Sequence, residues 1–404
     1  MNRIQSTLVA ILALLAPSAL TPRASALDDA SRQTAQRLID RSIAFLRAQQ
    51  DPATGGWAVN PQGPNYPAIT GLVVTGMLMD PRIDCADESV AKGVGFMLSF
   101  QQPDGGIYDR VLPSYNTALC VSALARCESD PAQAAVRGAV PFLRSLQWSE
   151  DSLDLPEETQ KVGPDHPFYG GVGYGRHGRP DNSNLNVFVQ ALHDAGVPAS
   201  DPALQRALVF LRRTQMDDRV NEMPYAQGSR QGGFVYATSE NKETLGSGQS
   251  MAGTMDESLP DGTTASRLRC YGSMTYAGFK AMIYADLKRD DPRVRAAYDW
   301  LSRNYTVKEN PGVGTDGLYY YYLTMARALA AWGEEQIPAP PDADAAPDAP
   351  TDAPSRDWRA DLIAQLATLQ TEDGSFRPVD DRWMEDNPVL ITAYALIALQ
   401  EMTR

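Results

Sequence analysis

Basic residues are in the minority along this chain, histidine and cysteine are scarce, and long apolar runs are missing after the first 26 residues. Thirty-six Lys and Arg face fifty Asp and Glu, a formal charge of -14. Without a basic stripe such a surface repels a phosphate backbone, so no nucleic-acid partner is expected. Four cysteines are too few for a disulfide-built scaffold. Cys120 and Cys127 would stand about 10 Å apart along one helix, beyond disulfide reach. Cys85 and Cys127 both fall at turns closing successive repeats and are the one pair considered. No later stretch reaches the roughly 18 apolar residues of a membrane span, so the mature chain is not expected to be an integral membrane protein.

The one long apolar run is N-terminal. Asn2 and Arg3 precede the Leu8 to Leu15 segment, and Ala24-Ser25-Ala26 offers a small-x-small cleavage site. Residues 1–26 read as a signal peptide, with the mature protein beginning near Leu27 in the periplasm or outside the cell.

What is present is a repeated phrase: an apolar pair, a glutamine, then a glycine turn closed by a large residue. It occurs as Phe45-Leu46…Gln50…Gly55-Gly56-Trp57, as Phe96-Met97…Gln102…Gly105-Gly106-Ile107, as Phe210-Leu211…Gln215…Gly232-Gly233-Phe234, and as Leu366…Gln370…Gly374-Ser375-Phe376. Looser copies follow Phe142-Leu143 and Trp300-Leu301. Recurrence of one unit means a repeat architecture. Each unit reads as an amphipathic helix, such as Ala35, Leu38, Ile39, Phe45 and Leu46, followed by a helix apolar on nearly every side, such as Ala68 to Leu78. The first kind needs one wet face and the second none. Six outer helices around six inner ones satisfy both, an (α/α)6 toroid.

Repeats one to five occupy 27–337. Residues 338–357, rich in Pro, Ala and Asp, have the composition of a disordered acidic linker. Residues 358–404 form a sixth repeat that cannot bury its own faces and is expected to close the ring beside the first. The long polar stretch from Asp217 to Thr264 is a candidate lid.

On these residues the chain resembles the prenyltransferase and squalene-oxidase repeat family, whose signature is a glutamine followed by glycine and an aromatic. Gln50…Gly56-Trp57 and Gln370…Gly374-Ser375-Phe376 carry the likeness, which extends over residues 30 to 404 and is strongest to exported bacterial members. The resemblance implies the toroid of triterpene cyclases. It does not bring their chemistry intact. The acidic cyclase motif is reduced to Asp380-Asp381 or to Asp181 in Asp181-Asn182-Ser183-Asn184. The zinc set of the prenyltransferases lacks its histidine, although Cys270 stands at the start of the fourth inner helix. Neither metal nor cofactor is therefore expected.

Glycine turns and inner-helix N-termini gather at one mouth, where partial positive charge favours acidic or hydroxyl-rich groups. Candidate ligand-binding residues there are Tyr115, Asn182, Asn184, Arg269, Tyr271, Tyr276, Tyr320 and Trp383; candidate acids are Asp181 and Asp381. Asp181, Ser183 and Asn387 also stand where N-caps are wanted. Lys280, inside an apolar inner helix, must find a partner or an exit. Three readings remain: binding of a small molecule, lipid or glycan, or of an envelope partner, at the mouth; a terpenoid cyclase or prenyltransferase-like enzyme using Asp181 or Asp381 as acid; and a polysaccharide lyase-type enzyme using Tyr271, Tyr276 and Arg269.

Overall fold

Alternation between one-sided and all-round apolar segments becomes an alternation between two layers in the computed structural model, which describes residues 27–152, 160–175, 178–239, 249–340 and 355–404. The signal segment 1–26 and linker residues 341–354 lie outside the described residues. The helices are α1 (Asp29–Ala48), α2 (Pro67–Leu78), α3 (Glu88–Leu98), α4 (Pro113–Leu124), α5 (Asp130–Ser145), α6 (Asn182–Asp194), α7 (Pro202–Thr214), α8 (Gly272–Tyr284), α9 (Pro292–Arg303), α10 (Leu318–Trp332), α11 (Trp358–Leu369) and α12 (Pro388–Thr403). Two short antiparallel ribbons, β1 (Thr254–Ser258) with β2 (Thr264–Leu268) and β3 (Gln336–Pro338) with β4 (Ser355–Asp357), complete the regular structure.

Even-numbered helices form the inner ring: α2 packs on α4, α4 on α6, α6 on α8, α8 on α10, α10 on α12, and α12 on α2. Odd-numbered helices lie outside them. Their starts follow from local chemistry, because Asp28, Asp87, Asp201, Asp291 and Asp357 each accept a first-turn N–H. Such a cap is worth about 1 kcal/mol.

In four repeats the glutamine works as a staple between neighbouring outer helices, while Gln102 bonds Phe100 O and Tyr108 O of its own repeat. Gln50 Nε2 donates to Gly55 O at 2.7 Å in its own turn and to Ser89 O at 2.8 Å in α3. Gln147 bonds Gly170 O and Ala203 O of α7, and Gln215 bonds Gly232 O and Arg293 O of α9. Gln370 reaches Leu38 O of α1 at 3.0 Å, so the same device closes the ring. Trp57 instead ties an outer helix to its own inner helix, donating Nε1–H to Leu46 O and its N–H to Thr70 Oγ1 of α2. Glycine is required at Gly374, where φ is +90° and a Cβ would stand 2.3 Å from Arg41 O of α1.

Two further differences concern the connections. The flanks of the expected linker are paired, with Ile337 opposite Arg356 and fully buried, because an apolar side chain gains from a shielded ladder position. The polar stretch after Thr214 is held by its own contacts: Asp217 pairs with Arg219 and Arg230, and Glu257 accepts from Ser229 and Arg230. Cys85 and Cys127 form a disulfide with Cα atoms 5.7 Å apart.

Candidate functional site

At the start of five of the six inner helices a side chain accepts a first-turn N–H, while α4 has no side-chain cap. Asn116 Oδ1 accepts from Ala68 of α2, Asn310 Oδ1 from Ser273 of α8, Asp181 Oδ1 from Asn184 of α6, and Asn387 Oδ1 from Val389 and Leu390 of α12. Glu385 does the same from outside its helix: Oε1 accepts from Tyr320 N at 2.8 Å and Oε2 from Tyr319 N at 3.0 Å. The positive mouth read from the sequence is therefore neutralised by the chain itself at these five helix starts.

Below this rim lies a cavity of about 250 Å³. Tyr66 and Tyr115 from the first two inner helices, Tyr174 and Tyr236 from loops, Tyr271 before α8, Tyr320 of α10 and Tyr394 of α12 line it, with Ile69, Leu72, Met274 and Leu390 between them. Tyr115 Oη lies 3.3 Å from Tyr394 Oη, and the Tyr320 and Tyr394 rings meet edge to face at 6.0 Å. Of the Tyr319 to Tyr322 run only Tyr320 lines the chamber. Tyr319, Tyr321 and Tyr322 donate to the carbonyls of Arg377, Thr306 and Val307 instead.

Trp383, Met384 and Glu385 cover the mouth from the turn before α12. Trp383 and Met384 sit at φ 56° and 66°, adjacent left-handed residues that are not glycine, an arrangement found where structure over-determines the backbone, often at functional sites. Gly317 permits it, since a Cβ there would lie 2.7 Å from the Trp383 ring. Among the described residues of the 217–264 stretch, Tyr236 lines the chamber, and residues 240–248 of the expected lid lie outside the described residues.

Glu385 is 1% exposed. Burial pushes its pKa up to about 7, against the pull of the Tyr319 and Tyr320 amides. Asp181 is also buried, and burial raises its pKa although Ser183, Asn184 and Tyr236 hydrogen-bond it. Asp181 thus belongs to the wall behind Ser183, Tyr174 and Tyr236. Burial likewise holds the phenols of Tyr271 and Tyr394 well above their ordinary value, so they are poor bases.

Four of the sequence candidates come together here: Tyr115, Tyr271, Tyr320 and Trp383. The others do not. Asp381 is exposed, since the turn that carries it rotates Glu385 inward three to four residues later. Asn182 donates to Val235 O, and Asn184 donates to Asp181 Oδ2, so both are bound into the wall. Arg269 is exposed just after β2, and Tyr276 packs its ring on Tyr321 below the cavity. The trio Tyr271, Tyr276 and Arg269 is therefore not assembled. Glu385, Tyr174, Tyr236 and Tyr394 were missed. Tyr394 had a signal, four residues after Leu390 on one helix face.

At the opposite end Lys280 finds its partner, donating to Gln190 Oε1 at 2.6 Å with Tyr284 below its ammonium at 5.3 Å. A larger, open recess of about 750 Å³ lies there beside His193, Arg327 and Glu401. Among the described residues no three His, Cys, Asp or Glu side chains gather into a metal-binding group, and no helix is long and apolar enough to cross a membrane.

The chain matches no family model and no curated protein. In three dimensions it is similar to an α-1,6-mannanase of Salegentibacter (TM-score 0.52, 11% identity, covering 92% of this chain and 98% of the other) and to the cellobiose 2-epimerase of Spirochaeta thermophila (0.51, 13%, 92% and 97%). A type II terpene cyclase from Scytonema aligns at 0.48 with 14% identity, over 92% and 98%. The fold is an α/α toroid. At these identities the likeness reaches no further than the fold.

Proposed function

We propose that this is an exported, ligand-binding member of the prenyltransferase and squalene-oxidase repeat family, taking a small, largely apolar molecule into the tyrosine-lined chamber. One observation carries the reading: an aromatic recess beneath the strained strap at Trp383 and Met384, with one buried carboxylate, Glu385, among its lining residues. At about 250 Å³ it lies just below the roughly 300–1,000 Å³ of sites for drug-sized molecules, which sets the size of the guest. Glutamine staples in four repeats support the family. The Cys85–Cys127 disulfide supports export, since such bonds persist in oxidising compartments. N-terminal sequencing of the purified protein is expected to begin near Leu27; Met1 retained would contradict export.

Thermal-shift screening with small aromatic and aliphatic molecules is expected to find stabilising ligands whose effect disappears in Tyr271→Ala and Tyr320→Ala. Uniform silence of a folded wild-type protein sinks the binding reading. A second reading rests on Glu385 alone. An acid holding its proton near pH 7 inside an aromatic chamber can protonate an alkene, as a cyclase-like enzyme requires. Glu385, not Asp381, would then be the acid, and Glu385→Gln would abolish turnover while Asp381→Asn would not.

A further inference from the structure

Inner-helix N-termini would recommend an anion for this chamber, but at five of the six Asp181, Glu385 or an asparagine side chain already occupies them. What faces the guest is the reverse. The described lining residues include no Lys, Arg or His, and Glu385 is the one charged side chain among them. Its oxygens accept the backbone N–H groups of Tyr319 and Tyr320, with the Leu318 amide also acting on it, and a carboxylate has about four acceptor sites in all. Around it stand ring faces, which carry a negative quadrupole and attract cations most strongly where water is displaced. The rim already uses this attraction, with the Arg382 guanidinium 4.7 Å over Trp383.

We propose that the chamber binds a small organic cation, a substituted ammonium on an apolar body, with its charge between Glu385 and the rings of Tyr320 and Tyr394. The inference rests on the chamber being the ligand site. An anion would meet a like charge, and a neutral guest would leave the ionised carboxylate with backbone amides but no counter-charge among the described lining residues.

The groups facing Glu385 are Asp380 on its own turn, Tyr319 and Tyr322 of α10, and Tyr394 of α12. Asp181 acts on Tyr115, Tyr271 and Tyr320 from the far wall. Because burial keeps Glu385 protonated up to about pH 7, a cation must displace that proton at lower pH. Its affinity climbs up to about tenfold per pH unit on the way to 7 and then levels.

Titration calorimetry of the purified protein with phenyltrimethylammonium and its uncharged carbon isostere, tert-butylbenzene, tests this. At pH 8 the cation is expected to bind at least about tenfold tighter, and to weaken at least about tenfold at pH 5.5 while the isostere does not. Glu385→Gln is expected to erase both differences and keep isostere binding; should that variant not fold, the wild-type isostere comparison and pH profile decide. Isostere binding as tight as the cation at pH 8 overturns the cation and leaves the chamber standing. A pH dependence that survives in folded Glu385→Gln overturns the assignment to that residue and points to Asp181. Binding of neither probe overturns the cation together with the chamber reading.

Discussion

The mouth and the floor of this barrel are built from the same six inner helices and treat charge in opposite ways. At the floor, charges answer one another. Asp194 lies 3.3 Å from Arg126 Nη1, and Arg327 Nε lies 3.7 Å from Glu401. Burial alone would raise Asp194, but His193, Arg126 and Arg327 outweigh it and hold the carboxyl well below the ordinary range. Lys280 is pushed the other way, well below its usual value, by burial first and by Arg327 second. The disulfide ties the α2 and α4 ends here too. At the mouth, Asp181 and Glu385 are buried with hydrogen bonds and no ion pair among the described residues, and burial raises both. Acids are paired at one end and, among the described residues, left without ion pairs beside the tyrosine-lined chamber at the other, the end where the ligand site is proposed.

Covalent change at the floor should have the largest effect. Replacing Cys85 and Cys127 by alanine opens a link spanning 42 residues, which chain-entropy reasoning values at about 4 kcal/mol; the melting temperature should fall and mouth binding of phenyltrimethylammonium should not change in protein that remains folded. Asp194→Asn is next. It strands Arg126 and Arg327 half-paired in the interior and should destabilise by about 3 kcal/mol, visible in denaturant midpoints, again with binding intact. Loss of binding in either variant would erase the division between the two ends.

Opposite pH signatures sharpen the comparison. Glu385 has a native pKa of about 7 against an ordinary 4.5, so the native state binds the extra proton. Its favourable contribution is full below about 4.5 and is lost as pH rises through 7, on the order of 3 kcal/mol for a shift of this size. Asp194 is depressed below an ordinary 3.8, so its contribution is present above that value and lost as pH falls below it. Chemical denaturation from pH 4.5 to 7.5 should show the first slope in wild type and not in Glu385→Gln; an unchanged slope would reject Glu385 as its source. The smallest effect belongs to Asp381→Asn, an exposed change expected within about 0.5 kcal/mol and neutral for binding. A strong loss of binding there would return Asp381 to the site.

The toroid was legible because a helix apolar on all sides, such as Val389 to Met402, has no place but a doubly covered inner ring. The mouth was legible in part for the same reason, since Tyr115, Tyr271 and Tyr320 sit at or near inner-helix starts. Glu385 was hidden because its role depends on a partner some 65 positions away, the α10 amides of Tyr319 and Tyr320. In sequence it reads as one more acid beside Asp386. A weak signal existed in Trp383 and Met384, large apolar residues in a polar turn. Asn182 and Asn184 misled because a capping asparagine and a ligand-binding one have the same chemistry, and only the bonds to Val235 and Asp181 tell them apart.

The most direct test of the contrast between the ends is a carbon-detected NMR titration of the side-chain carboxyls in selectively labelled protein. One glutamate titrating near pH 7, absent in Glu385→Gln, together with one aspartate still ionised well below pH 3.8 and absent in Asp194→Asn, is the predicted result. Glutamates that all titrate near 4.5 would contradict it.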